Sequence, residues 1–263
     1  MIWACAYSSY AKLFLIDIGI QWAGATAAVI FKTEKFYDLL GAVTNILLAQ
    51  ISYEFSQKQT IRQLVQSNLA TLWAARLGLY LFIRIIKDGK DKRFTDAKKK
   101  PIVMYIYWTI QAAWCYITLL PTLMLNEQVR DPPFGLQVDN IMTSTCQQIF
   151  FLAVGEAGLL FQDYIGWSLF GVGFLFETIA DLQKTLFKAN ENNRGKFITS
   201  GLWGISRHPN YFGEIILWFG LYISASSTFR GWQFLSVLSP VIIYEQSFLP
   251  VRYCKIYELP KHT

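Results

Sequence analysis

Runs of roughly 20 apolar residues alternate with short polar stretches along this chain, the spacing expected when helices cross a bilayer. Seven runs predict spanning helices: Ala11–Phe31, Phe36–Tyr53, Leu69–Ile86, Ile102–Leu125, Tyr164–Ala180, Phe212–Thr228 and Trp232–Leu249. An eighth, Ile141–Phe161, carries Gln147, Gln148 and Glu156 and is expected to be interfacial or re-entrant. The first run contains AGATAA, a faint cleavage-site pattern. It lacks a basic flank and continues to Phe31, so it reads as a retained helix. No internal repeat interrupts the pattern. The expected fold is all-α, a polytopic membrane helical bundle in which residues 1–263 form a single membrane domain.

Charge orients that bundle. Between Arg84 and Lys100 lie eight basic residues against three aspartates, a net +5 of the whole chain's +6. Such a loop faces the cytoplasm, or the matrix of a mitochondrion. The Asn126–Asn140 stretch, with Glu127, Asp131 and Asp139 against Arg130, suits the opposite side. A second basic stretch, Asp181–Arg207, shares the first one's side if Ile141–Phe161 does not cross. About seven spans then result, with the N-terminus outside and the C-terminus on the cytoplasmic or matrix side.

Composition narrows the class. The chain is 53% hydrophobic and only 16% charged, where a soluble domain carries about 25% charged residues. That excludes a disordered chain and a nucleic-acid binder with a basic soluble face. Cys5, Cys115, Cys146 and Cys254 are far apart and show no metal-ligand spacing. They read as packing residues, and no metal site is expected.

Ionisable groups inside spans are costly, so each is a candidate for function. Asp17, Arg76, Arg84 and Glu177 qualify. Asp17 reads as a helix–helix polar contact. Arg76 lies two turns before Arg84, on a stripe leading to the basic loop. In FLFETIADLQKTLFK, residues Glu177, Asp181, Lys184 and Lys188 are spaced four, three and four apart and so share one helix face. Downstream, GLWGISRHPNYFGEIILW places Pro209 where it can open a helix. Arg207 and His208 then sit at the positive end of that helix, a setting that suits phosphate. Tyr211, Glu214 and Trp218 follow on one face. No dinucleotide fingerprint, P-loop or zinc-protease motif occurs. A cofactor would have to bind within the helical bundle.

These residues resemble the membrane steroid 5-alpha-reductase superfamily, in its broad branch carrying the steroid-reductase C-terminal domain. The resemblance runs from about Glu34 to Tyr222, through EKFYDLLG, WAARLGLYLFIRIIKDGKDKRF, WTIQAAW, DYIGW, FLFETIADLQKTLFK and GLWGISRHPNYFGEIILW. It implies a seven-helix fold that takes NADP from the cytoplasmic side. The matching cofactor positions are Lys90, Asp181, Lys188, Lys196 and Asn210. Arg84, Gln183, Lys184, Arg207 and His208 join them from the same motifs and the helix-terminus argument. Lysine meets phosphate as a point charge without arginine's bidentate fork.

The resemblance further implies hydride transfer to the β-carbon of a lipophilic enone, a sterol or another lipid, with a donor polarising the carbonyl. Candidate catalytic residues are Glu34, Asp38, Tyr80, Tyr211 and Glu214, with Glu214 and Trp218 also shaping the pocket and ordering the nicotinamide. The segment 223–263 departs from the family, ending YEQSFLPVRYCKIYELPKHT, where Tyr253 and Tyr257 are the remaining family-like features. That departure keeps open a non-catalytic or cofactor-holding subunit of a larger membrane assembly, such as a respiratory complex. A third reading is an S-adenosylmethionine-dependent methyltransferase of lipid or prenyl-cysteine, because isoprenylcysteine methyltransferases carry a similar Arg-His-Pro-x-Tyr. The expected home is the endoplasmic reticulum or the mitochondrial inner membrane.

Overall fold

The structure is a computed structural model that describes residues 2–89, 91, 94, 97, 100–127 and 159–243, with side chains from Ser9 onward. Lys90, most of Ile141–Phe161, the end of Trp232–Leu249 and the segment holding Tyr253 and Tyr257 lie outside the described residues. Among the described residues every regular element is helical. They fall into two compact units: one runs to Leu160 and includes Ala225–Phe234, and the other comprises Phe161–Ser224 and the chain from Leu235.

The first unit holds α1 (Ile2–Phe31), α2 (Tyr37–Glu54), α3 (Ile61–Asp88) and α4 (Pro101–Asn126). α3 starts eight residues earlier than hydropathy predicts. Thr60 and Gln63 form a reciprocal capping box, whose Thr60 side chain accepts from Gln63 N while Gln63 Oε1 accepts from Thr60 N. Gly89, at φ +77°, ends the helix, and Pro101 opens α4 at its first turn. α1 buries a stripe of Leu13, Asp17, Gln21, Gly24, Ala25 and Ala28 against α2 and α4.

Two devices hold this unit together. At one end Ala25, Ala28, Met104 and Trp108 form an apolar cluster that takes in Phe94 and Ala97 from the basic loop. Tyr37 meets Phe94 and Trp108 edge-on, at 4.7 and 5.0 Å between ring centroids. The Arg84–Lys100 loop is therefore anchored by its few apolar residues. Elsewhere the helices are joined by polar side chains: Gln21 Nε2 donates to Thr44 Oγ1, Gln50 Nε2 to Thr71 Oγ1, Gln66 Nε2 to Thr122 Oγ1, and Asn126 Nδ2 to both Ser52 and Ser67. In hydrocarbon, such bonds contribute what lipid-like packing alone cannot.

The second unit holds α5 (Phe161–Ala189), a 3₁₀ turn at Glu191–Asn193, α6 (Leu202–Ile205) and α7 (Pro209–Ser226). Pro209 does open its helix, as the motif predicts. Glycines seven residues apart face each other: Gly166 and Gly173 on α5 against Gly220 and Gly213 on α7. A Cβ on Gly173 would lie 2.5 Å from Gly213 O, and one on Gly213 would lie 2.6 Å from Glu177 N. The backbones touch, so nothing larger than hydrogen fits. Beyond the last glycine pair, Ser224 Oγ donates to the buried Asp163 at 2.8 Å.

Among the described residues, four helical segments are long and apolar enough to cross a membrane: Ser9–Phe31, Ile61–Asp88, Pro101–Asn126 and Phe161–Ala189. Those apolar helices indicate an integral membrane protein. α2 and α7, at 18 residues each, are not among them, and Gly231–Ile243 is shorter.

Gly173→Val or Gly213→Val is expected to cost about 3 kcal/mol or more through forced separation of the two backbones. Gly171→Ala, on the same helix with no atom within 4 Å of an added Cβ, is expected to be neutral or stabilising by up to about 1 kcal/mol. Thermal unfolding of the three variants in detergent checks the contrast.

Candidate functional site

The polar end of the second unit is built where α5 runs on past its apolar part and the chain doubles back to start α7. Glu177 and Asp181 are buried on α5, Lys184 is half-buried, and Lys188 is exposed. The four-residue stagger of the sequence thus becomes a gradient from acid inside to base outside.

Three contacts fold the return loop onto that helix. Gln183 Oε1 accepts from Leu202 N at 3.1 Å. Trp203 Nε1 donates to Ala180 O at 3.0 Å, and its ring lies 4.9 Å under Lys184 Nζ, a cation–π contact. Gly201, at φ +61°, makes the turn, and a Cβ there would strike the Gln183 amide.

At the start of α7, Asn210 Nδ2 donates to Asp181 Oδ1 at 3.4 Å, the direct link between two residues that the motifs single out. Asn210 Oδ1 is buried and has no hydrogen-bond partner among the described residues. Ser206 Oγ accepts from His208 N, and the His208 ring stacks on Tyr211 at 5.4 Å. Partial burial, with Lys184 and Arg207 close by, lowers the His208 pKa from its ordinary value. Arg207, Lys188, Arg194 and Lys196 are exposed. Glu214 is half-buried on α7, and Trp218 is fully buried. The arrangement offers cationic side chains, a helix N-terminus and one buried amide acceptor.

The first unit places the remaining candidates. Glu34 is buried and its Oε1 accepts from Asp91 N at 3.1 Å, which ties the basic loop to the α1–α2 turn. Asp38 faces Arg84 at 3.9 Å, and Tyr80 lies with its ring 5.8 Å from the Arg76 guanidinium. Arg84 is thus an ion-pair partner within its own unit. Lys90 is outside the described residues.

Reading the sequence missed Trp203 and Ser206, although both stand inside the quoted GLWGIS motif. It also missed the polar residues Gln21, Thr44, Asn45 and Asn126. Only ionisable groups were treated as costly in a span, whereas buried amides need partners for the same reason.

Comparison with known proteins places the chain. A family described as proteins of unknown function, DUF1295, matches residues 26–155 and 134–251, and the chain belongs to it. This is a family of steroid 5-alpha-reductase-like proteins. A probable O-methyltransferase, ustE, of Ustilaginoidea virens is 33% identical over 104 residues. That match covers 36% of this chain and 37% of the relative, so the chain spans little more than a third of that protein's length. No solved structure matches.

Because the fold favours a neutral His208, its contribution is intact above the imidazole's ordinary pKa of about 6.5 and is lost as pH falls towards the depressed value. Melting temperatures measured from pH 7.5 to 5.5 are expected to fall further for the wild type than for His208→Gln. Parallel curves would contradict the assignment.

Proposed function

We propose, from that membership, that the protein is an NAD(P)H-dependent membrane reductase acting on a lipophilic conjugated enone, a sterol or another lipid, alone or within a larger assembly. The observation that carries the reading is the positive charge of the chain that runs from the end of α5 to the start of α7, where Lys184, Lys188, Arg194, Lys196 and Arg207 all stand. Phosphate-rich cofactors ask for such charge, and a helix N-terminus adds to it.

The donor set fits NADP. Arg207 can hold a phosphate bidentately, while Lys188 and Lys196 act as point charges. The buried Asn210 Oδ1 suits a carboxamide N–H or a ribose hydroxyl, and Asp181 holds the other side of that amide. When bound, the cofactor supplies the hydride for the enone β-carbon. The carbonyl oxygen needs a hydrogen-bond donor as enolate charge develops. Of Glu34, Asp38 and Tyr80, Glu34 already accepts from Asp91 N and Asp38 faces Arg84, so both carboxyl groups are engaged within their own unit. Tyr80 is the candidate of the three that carries a hydroxyl, a group able to donate. Tyr211 packs on His208 and positions it.

A second reading, an S-adenosylmethionine-dependent O-methyltransferase, is favoured by the name of the fungal relative. The two differ in charge demand. S-adenosylmethionine is itself cationic at sulfur and carries no phosphate, so it does not call for a cluster of basic side chains.

The topology proposed with the reductase has about seven spans, the N-terminus outside, and a home in the endoplasmic reticulum or the mitochondrial inner membrane. Calorimetric titration of the full chain in nanodiscs tests the cofactor. NADPH is expected to bind, and Lys188→Ala and Arg207→Ala each to weaken it about tenfold. Binding of S-adenosylmethionine without NADPH would establish the second reading instead. For the orientation, a glycosylation acceptor at the N-terminus is expected to be modified in microsomes and one in the Arg84–Lys100 loop is not; the opposite pattern overturns it.

A further inference from the structure

Asp17 lies near the middle of the first apolar helix and is fully buried. Neither carboxylate oxygen has a hydrogen-bond partner among the described residues. The expected helix–helix contact is therefore not made among the described residues, and a buried carboxylate without compensation is among the costliest arrangements a membrane helix can hold.

Its surroundings are one-sided in the same sense. Gln21, one turn along the same face, donates Nε2 to Thr44 Oγ1 at 2.9 Å. Thr44 spends its own proton on Leu40 O, so its oxygen can only accept, and that fixes which way the Gln21 amide points. Gln21 Oε1 is left buried without a donor among the described residues. Asn45 is the next residue along α2. Its Nδ2 faces Gly41 O at 3.2 Å and Cys115 Sγ at 3.4 Å. A carbonyl can only accept, so this amide is oriented too, and Asn45 Oδ1 is likewise left without a donor.

Helix register brings these groups to one level. Thr26 pairs with Tyr105 and Trp22 with Thr109, so each turn back along α1 is one turn forward along α4. The next step sets Asp17 level with Ala113 and Trp114, next to Cys115 and the Asn45 bonded to it. Four acceptor oxygens and one negative charge thus share the α1–α2–α4 seam. A proton would neutralise the charge but supply a donor to only one of the four. A cation answers all of them at once.

We propose that Asp17, Gln21 and Asn45 form an intramembrane site for a single alkali-metal cation. The ligands are hard oxygens, which exclude soft metals. A single carboxylate balances one positive charge, where calcium and magnesium sites use more carboxylate or water. The site stands apart from the cofactor reading and would survive its failure.

The test is the melting temperature of the full chain in detergent, in NaCl or KCl against choline chloride at equal ionic strength. The expected result is a higher melting temperature in at least one alkali salt, lost in Asp17→Asn. Gln21→Leu keeps the charge and removes one oxygen. It is expected to raise the salt concentration for half-effect about tenfold, and it serves if Asp17→Asn does not fold. Identical melting temperatures in all three salts, or a half-effect concentration unchanged in Gln21→Leu, overturn the proposal. So does an alkali effect that persists in a folded Asp17→Asn.

Discussion

The backbone-to-backbone contact between Gly173 on α5 and Gly213 on α7 governs the chemistry of the second unit. Because those helices touch without side chains between them, the turn of α7 that follows Pro209 is held against the turn of α5 that carries Glu177 and Asp181. Asn210 then reaches Asp181, and Trp203 reaches the Ala180 carbonyl. A separation of an ångström or two would break both. The second glycine pair, Gly166 with Gly220, sets the angle of the same crossing.

The first unit solves a different problem with different means. Its helices must associate where lipid tails are as apolar as leucine, so packing alone gives little preference for protein over lipid. Glutamine, asparagine, threonine and serine supply that preference by bonding across helix pairs. The device carries its own constraint. An amide that donates on one side presents an acceptor on the other, and at Gln21 and Asn45 that acceptor remains buried without a partner among the described residues. Polar cohesion and a demand for positive charge are consequences of the same residues.

Much of the candidate site was legible beforehand because it lies in two short motifs. ADLQK and RHPNY are each local, and helix periodicity suffices to say that Asp181 and Lys188 share a face or that Pro209 begins a helix. The roles of Glu34 and Arg84 were not legible in that way. Glu34 holds Asp91, 57 residues on, and Arg84 faces Asp38, 46 residues back. Nothing in local spacing encodes such partners. Hydropathy does not mark even the start of α3, which begins at Ile61 behind the Thr60 capping box, on a turn that is not apolar.

The sequence by itself determined an all-helical membrane chain, an address for its positive charge and the composition of its RHPNY turn. Each follows from run length, charge count or the fixed geometry of proline, which act over a few residues. Tertiary structure alone decided that glycines seven apart would meet, that Asn210 would bind Asp181, and that Asp17 would be enclosed without a donor among the described residues. Those outcomes depend on which faces of distant helices come together. The hydrophobic effect that marks a helix as membrane-spanning says only that it is buried in something apolar, not against which neighbour.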